Sequence, residues 1–395
     1  MHVLQASIGR FRNLLNQRLD FSSRVTLITG DNGQGKTNVL EAIYLLAHAR
    51  SFRGAKPLEL IPWDFAPRPP SGEPECFVEL LTESDDGTKQ LRFELVGGRR
   101  QVSINGTRIT KASDFFGQFR AVVFTPDDVR LVKGAPQFRR QFADRIVSLV
   151  DPVFVESSVA YERALRSRNV VLKRSRGAQL SRERQAELES LSTLLISHGR
   201  VVAERRRQLI ADLQPIFQSY YDALVGNSAP RDREEQVRVT YRSDFLESGV
   251  GEQSVLQPDQ ALKTLYFNQL EDEMRRGLTL RGPHRDELLI DFNFLGSYRR
   301  GRASASQGQA RSAVLALTLA AVDFVSERTG ETPVLLLDDI ESELDARRRQ
   351  ALFELIHRAK AQAIVTLTEV RPEFEETCQE AAIYRVVSGH ISRVK

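Results

Sequence analysis

Only two cysteines, Cys76 and Cys378, occur in the 395 residues, and no C-x-x-C spacing joins them. That argues against a disulfide framework and against a structural zinc site, and a reducing cytoplasm is the expected compartment. Charge of one sign is scarce too: 56 Lys+Arg against 52 Asp+Glu leave a formal net charge of +4. Bulk charge therefore says little about nucleic acid, and a basic surface would have to be local. No run approaches 18 consecutive apolar residues, so no membrane span is expected. The N-terminus has no basic segment followed by an apolar stretch, which is the mark of a signal peptide. The one Pro-rich piece, 62–74, reads as a surface loop rather than a linker. With 41% hydrophobic and 27% charged residues, the chain has the composition of an ordinary globular protein. Its length suits two or three domains.

What is present begins with Gly30-Asp31-Asn32-Gly33-Gln34-Gly35-Lys36-Thr37, which fills the G-x-x-x-x-G-K-S/T template of a phosphate-binding loop. Val25-Thr26-Leu27-Ile28-Thr29 before it reads as a buried strand, and Thr37-Asn38-Val39-Leu40-Glu41-Ala42-Ile43 opens a helix. In that order the glycines expose backbone N–H groups and the positive end of the helix dipole faces an anion. Lys36 is expected to reach the β/γ-phosphates and the Thr37 hydroxyl to bind Mg²⁺, with Asn38 in the following turn. A Gly-rich turn before an ordinary helix is the bland alternative, and the strand–loop–helix context disfavours it. ATP and Mg²⁺ are the implied ligands.

Such a loop needs a carboxylate strand to hold the metal. Val334-Leu335-Leu336-Leu337-Asp338-Asp339 supplies one: four apolar residues, as in a strand buried on both faces, ending in two acids. Asp338 falls at the carboxyl end of the strand, where ligands bind in open α/β sheets, and is assigned to Mg²⁺. Asp339 is assigned to polarising the attacking water. Roughly 300 residues separate the two motifs, so a large insertion splits one nucleotide-binding domain. The boundaries read as 1–136 for the first half, 137–270 for a mainly helical insertion, and 271–395 for the second half. In the insertion, apolar residues recur at three- and four-residue spacings, as in Phe142-Ile146-Leu149 and Leu188-Leu191-Leu195. Arg139, Arg140, Arg163, Arg166, Arg168, Lys173, Arg174 and Arg176 stud the opposite faces, as a solvated surface or a DNA-facing one. These helices are too few and too short for a long coiled-coil arm.

Upstream of the aspartate strand, Ala305-Ser306-Gln307-Gly308-Gln309 precedes an apolar helix running from Ala313 to Val325. A Ser-x-Gly-Gln at a helix start is a second anion nest, although a plain Ser N-cap would look the same in isolation. It resembles the L-S-G-G-Q signature of ABC-type ATPases, with Gln307 where Gly is usual. That resemblance implies two chains paired head to head, with the signature of one completing the ATP site of the other. Ser342-Glu343-Leu344-Asp345 falls where such proteins place the loop that contacts the partner's site. The nucleotide would then hold the pair together only while its γ-phosphate lasts.

Residues 30–43 also resemble the RecF family of bacterial recombination-mediator ATPases. So do Phe11-Arg12-Asn13, Ser51-Phe52-Arg53, Val123-Phe124-Thr125-Pro126-Asp127-Asp128, Arg139-Arg140, Arg168-Asn169, Leu280-Arg281-Gly282-Pro283-His284-Arg285-Asp286 and Leu335 to Asp345. The likeness covers nearly the whole chain and is weakest over 175–270. It implies an α/β P-loop ABC-type ATPase head, similar to SMC heads, split in sequence by a short helical lobe in place of a coiled-coil arm. It further implies ATP-dependent homodimerisation on DNA, a preference for gapped DNA or single-strand/duplex junctions, and slow ATP hydrolysis. Cooperation with RecR and RecO in loading RecA follows from the same likeness, as does a cytoplasmic, nucleoid-associated location.

Several positions depart from the superfamily pattern. Asp339 stands where Glu is usual, the strand Ile364-Val365-Thr366-Leu367-Thr368 offers hydroxyls where a His usually follows, and Thr125-Pro126-Asp127 replaces a common Gln. Slow turnover is the expectation. A transporter subunit would carry its signature about 100 residues after the loop rather than about 270. A nuclease would need a separate cluster of metal-binding acids, and a helicase further coupling motifs. An SMC-like head acting in chromosome organisation or defence is the main alternative. Arg53, Arg130, Lys133, Arg139 and Arg140 are the candidate DNA contacts, whereas His284 and Arg285, directly after Gly282-Pro283, are expected to organise a turn.

Overall fold

The computed structural model describes residues 1–62, 74–177, 179–226, 236–246, 255–294, 296–370 and 380–395. Cys378 and nearly all of the Pro-rich stretch lie outside the described residues, as do the side chains of Ser342 and Glu343. Strands are numbered β1–β15 in chain order.

Six strands form the sheet that carries the motifs: Val25–Thr29 (β3), Ala121–Phe124 (β8), Val334–Leu337 (β12), Ala363–Leu367 (β13), Ala382–Val387 (β14) and His390–Arg393 (β15). Their order is β15-β14-β3-β13-β12-β8. All neighbours are parallel except the β14–β15 hairpin at one edge. Strands β8 and β12, apolar throughout, and β13, apolar except for Thr366, are buried along their length, as strands covered on both faces must be. A second sheet is antiparallel, in the order β2-β1-β4-β5-β6-β7. Its members are His2–Gly9 (β1), Gln17–Asp20 (β2), Cys76–Ser84 (β4), Gly87–Val96 (β5), Arg99–Ile104 (β6) and Thr107–Arg108 (β7). Its apolar face, with Val78, Leu80, Leu91 and Phe93, shares one core with the helix Lys36–His48 and the parallel sheet. Burying each such side chain contributes about 1.5–3 kcal/mol. The helix Gln307–Thr329 is long and apolar enough to cross a membrane, but Ala313, Val314, Leu315, Ala316, Leu317, Ala320 and Ala321 lie buried within this unit as a core helix.

The chain divides into two units: Met1–Arg130, Ile216–Glu234 and Ser306–Lys395 form one, while Leu131–Pro215 and Glu235–Ala305 form the other. The second division thus falls at 305/306, where the sequence pattern suggests 270/271. The physical reason is a third sheet, Val237–Arg242 (β9), Glu287–Phe294 (β10) and Ser297–Arg300 (β11), in the order β11-β10-β9. Ile290 pairs with Val239 in it, which ties 287–300 to the inserted chain. The insertion is therefore helices plus a sheet. One of those helices, Arg182–Val225, spans 44 residues with Pro215 inside it, far longer than the spacing pattern suggests. Two apolar clusters cover it within the second unit: Tyr161, Leu195, Ala203, Phe245 and Leu262 in one, and Val171, Leu172 and Leu188 in the other.

Candidate functional site

Parallel register places the chemistry along one sheet edge. Leu337 pairs with both Phe124 and Val365, and Leu367 pairs with Thr29. Thr125, Asp338, Thr368 and Gly30 therefore follow at the carboxyl ends of neighbouring strands, where ligands bind in open α/β sheets. Gly30 (φ 144) and Gly35 (φ 113) take backbone conformations closed to other residues. A Cβ would stand 2.4 Å from Val386 O at Gly30 and 2.6 Å from Asn13 Oδ1 at Gly35. Lys36 heads its helix and is buried; its Nζ donates to Gly30 O and, over 3.1 Å, to Asp31 O. Burial lowers its pKa, and Asp339, Asp338, Asp31 and Glu341 pull it back up. The ammonium is thus held over the loop among four carboxylates, in position for polyphosphate oxygens.

Thr37 Oγ1 donates to Asp338 Oδ1 over 2.8 Å, joining the two motifs. Thr366 Oγ1 donates to the same oxygen over 2.8 Å and accepts from the Asp339 N–H over 2.8 Å. Burial raises the Asp338 pKa, and the two hydroxyl donors oppose that rise. Asp339 adopts a left-handed conformation (φ 47, ψ 50), a strain of about 1–3 kcal/mol for a residue with a side chain, and such strain clusters at functional sites. Thr368 donates from both its N–H and its hydroxyl to Glu341 Oε2. Among the described residues no three His, Cys, Asp or Glu side chains gather to hold a metal alone. The hydroxyl of Thr37 and the carboxylate of Asp338 are hard oxygen donors. They fit Mg²⁺, which keeps several waters and takes substrate phosphate oxygens.

Other residues of the loop are engaged in buttressing it. Gln34 O accepts from Asn13 Nδ2 and Gly389 N–H, both at 2.9 Å, and Gln34 Oε1 accepts from Ser388 N–H. Asn38 Nδ2 donates to Asn13 Oδ1 over 2.7 Å, while Asn38 Oδ1 accepts from Arg53 over 2.9 Å. Both side chains thus brace the loop rather than point at a ligand. Asn32 is exposed at the tip and Gly33 opens onto free space. Behind the loop, Glu41 is fully buried and takes Arg12 in two hydrogen bonds of 2.8 and 3.0 Å, the Ser51 hydroxyl, and Arg53 at 3.6 Å. Phe11-Arg12-Asn13 and Ser51-Phe52-Arg53 thus meet the loop helix, with Arg53, a candidate DNA contact, directed to Asn38 and Glu41. The one sequence signal is Glu41 itself, the sole acid in the helix Lys36–His48; its partners come from distant segments.

The other nest forms separately. Ser306 Oγ accepts from Gln309 N–H over 3.1 Å while Gln309 Oε1 accepts from Ser306 N–H over 2.7 Å, a reciprocal cap on the helix Gln307–Thr329. Ser306 and Gln307 are exposed. Arg348 lies over Gly308, where a Cβ would be 3.2 Å from its Nη1, and pairs with Asp345 Oδ2 at 3.3 Å. Asp345 in turn caps the helix Ala346–Ala359 by accepting from Arg348 N–H.

Three of the candidate DNA contacts are held internally. Arg139 is buried and donates to Leu131 O, Gly134 O and Glu287. Arg140 donates to Asp286 O over 2.8 Å, and Lys133 donates to Ala305 O. Arg168, read as a surface residue, is 1% exposed and pairs with Glu273 at 2.6 Å, with Thr279 and Ser192 as further acceptors. Arg53 is partly exposed, and Arg130 is exposed and pairs with Asp127 at 3.2 Å. His284 does organise a turn: it bonds Tyr161 OH at 2.6 Å and Thr279 O at 3.2 Å, with Arg285 N–H on Gly282 O. Burial pushes its pKa down to about 4. Beside it, burial pushes Asp286 up to about 6 despite Arg206 at 3.8 Å and the Tyr241 hydroxyl donated to it.

Residues 2–392 match the family described as RecF/RecN/SMC N terminal domain. A "DNA replication and repair protein RecF" of Halalkalibacterium halodurans is 35% identical over 393 residues, covering both chains entirely. One of the same name from Geobacter sulfurreducens is 33% identical over 394 residues, again covering both. Among solved structures, one described as the recombination mediator protein RecF-ATP in the RecFOR pathway superposes with a TM-score of 0.83 at 28% identity. It covers 100% of this chain and 98% of its own. An Smc head domain from Pyrococcus furiosus reaches 0.56 at 17% identity, covering 100% and 96%, and shares the fold. On these matches, the chain belongs to the RecF family of DNA replication and repair proteins.

Proposed function

We propose that the chain is an ATP-gated DNA clamp of recombinational repair. The observation that carries this reading is the bond between Thr37 and Asp338, which joins the phosphate loop to the acid strand in one site. A relative of the same fold is described with ATP, which supports ATP as the ligand. Gly30 to Thr37 cradle the triphosphate through backbone N–H groups, with Lys36 on the β/γ-phosphates. Thr37 and Asp338 would hold Mg²⁺, which would supply positive charge to offset that of the triphosphate. Asp339 orients the attacking water and accepts its proton. Hydrolysis is slow because a short carboxylate does this without a neighbouring His.

Ser306, Gln307, Gly308 and Gln309, with Ser342 and Asp345, complete the ATP site of a second copy, so two chains close around two nucleotides. The closed pair holds gapped DNA or a single-strand/duplex junction, binding both single-stranded and duplex portions. With RecR and RecO it assists loading of RecA, in the cytoplasm at the nucleoid. The test is ATP hydrolysis measured with and without gapped duplex DNA. Slow basal turnover that rises with DNA supports the clamp; turnover indifferent to DNA contradicts it.

A further inference from the structure

Thr366 stands one residue beyond the paired end of β12, at the position that the Leu337–Val365 register sets beside Asp338. It is fully buried. Its single hydroxyl makes two bonds of 2.8 Å, donating to Asp338 Oδ1 and accepting from the Asp339 N–H. Thr37 donates to the same Oδ1. Both protein donors therefore meet one oxygen of Asp338, which fixes the rotation of the carboxylate beside the phosphate loop. The other bond anchors the peptide at which the chain turns left-handed, the conformation that sets the direction of the Asp339 side chain.

We propose that Thr366 is a positioning residue for nucleotide hydrolysis, a bracket that aims Asp338 at the metal and Asp339 at the attacking water. This rests on the nucleotide-site reading above. A hydroxyl is needed because the position must donate to a carboxylate and accept from an amide at once; an aliphatic side chain of the same shape does neither. A second layer of hydrogen bonds around a metal ligand commonly controls metal affinity or activity by 10–100-fold. From β13, Thr366 thus reaches both acids at the end of the neighbouring strand. The hydroxyls that look in sequence like a mere departure from the superfamily pattern have a task.

The experiment compares the full-length chain with Thr366→Val, which keeps the shape, and Thr366→Ser, which keeps the hydroxyl. A fluorescent ATP analogue is titrated at increasing Mg²⁺, and kcat and KM for ATP are measured at saturating Mg²⁺. The valine variant is expected to need about tenfold more Mg²⁺ for half-maximal nucleotide binding. Its kcat should fall by about tenfold or more at unchanged KM, and the serine variant should restore both. A valine variant with wild-type Mg²⁺ midpoint and kcat overturns the proposal. So does a serine variant as impaired as valine at an unchanged melting temperature, which would mark a packing role. Wild-type nucleotide binding with no dependence on Mg²⁺ overturns the nucleotide-site reading itself, and this inference with it.

Discussion

Thr37 Oγ1 stands 2.8 Å from Asp338 Oδ1 although 301 positions separate the two residues. The bond is the joint between two half-domains that the chain makes before and after its insertion. Asp338→Asn keeps the shape of that joint and removes the charge. We expect the Mg²⁺-dependent part of ATP affinity to fall by about tenfold or more while the fold persists. Calorimetric titration of ATP with and without Mg²⁺ checks this, and equal losses in both conditions would remove Asp338 from the metal.

Asp339→Asn should leave ATP-driven pairing intact and lower hydrolysis by about 10²–10⁴-fold, the usual contribution of a positioned base. The wild-type chain without DNA should itself turn over more slowly than about 1 s⁻¹, the lower edge of typical enzymes. Loss of pairing in the asparagine variant, or faster basal turnover, counts against the slow switch.

Arg168 and Glu273 are each 1% exposed and pair at 2.6 Å, so Arg168→Ala leaves a buried carboxylate without its counter-charge. A loss of about 3–5 kcal/mol follows. Denaturant unfolding measures it; a change below about 1 kcal/mol would fit a surface pair instead.

How much of this was legible beforehand depends on whether the signal is local. The loop, the strand Val25–Thr29, the acid strand and the apolar helix after Ser306 follow from short-range pattern, and the structure has them where the pattern puts them. Arg168 looks in sequence like its solvated neighbours, because only tertiary pairing with a residue 105 positions away distinguishes it. Arg139 and Arg140 are similar: their acceptors are mostly backbone carbonyls, which no residue type announces. Thr366 and the Arg12–Glu41 pair required register across the sheet and chain crossing behind the loop. The division at 305/306 required the antiparallel pairing of β9 and β10, and weakly alternating strands hide such pairing.

Arg139 gives a further test of that reassignment. Arg139→Ala should lower the melting temperature and leave the salt dependence of DNA binding unchanged. Removing a true phosphate contact would reduce the slope of log affinity against log salt by about 0.9. A reduced slope at unchanged stability would return Arg139 to the DNA surface.

Asp286 and His284 oppose each other in pH. Asp286, raised to about 6, gives stability that is present below its ordinary value of 3.8 and lost as pH rises through about 6. His284, lowered to about 4, leaves the unfolded chain binding more protons between about 4 and 6.5, so its contribution rises with pH there. In Asp286→Asn only the histidine remains, and melting temperature should climb more steeply from pH 4 to pH 6.5 than in the wild type. Equal slopes would show that burial does not hold Asp286 up.

The central claim is that ATP closes two copies of this chain into a clamp. Sedimentation of the purified protein alone, with ATP and Mg²⁺, and with short gapped DNA added tests it most directly. We predict a monomer that becomes a dimer only with ATP and retains DNA better in that state, with both effects abolished in Lys36→Ala. A chain that binds ATP yet sediments as a monomer in every condition would contradict the clamp.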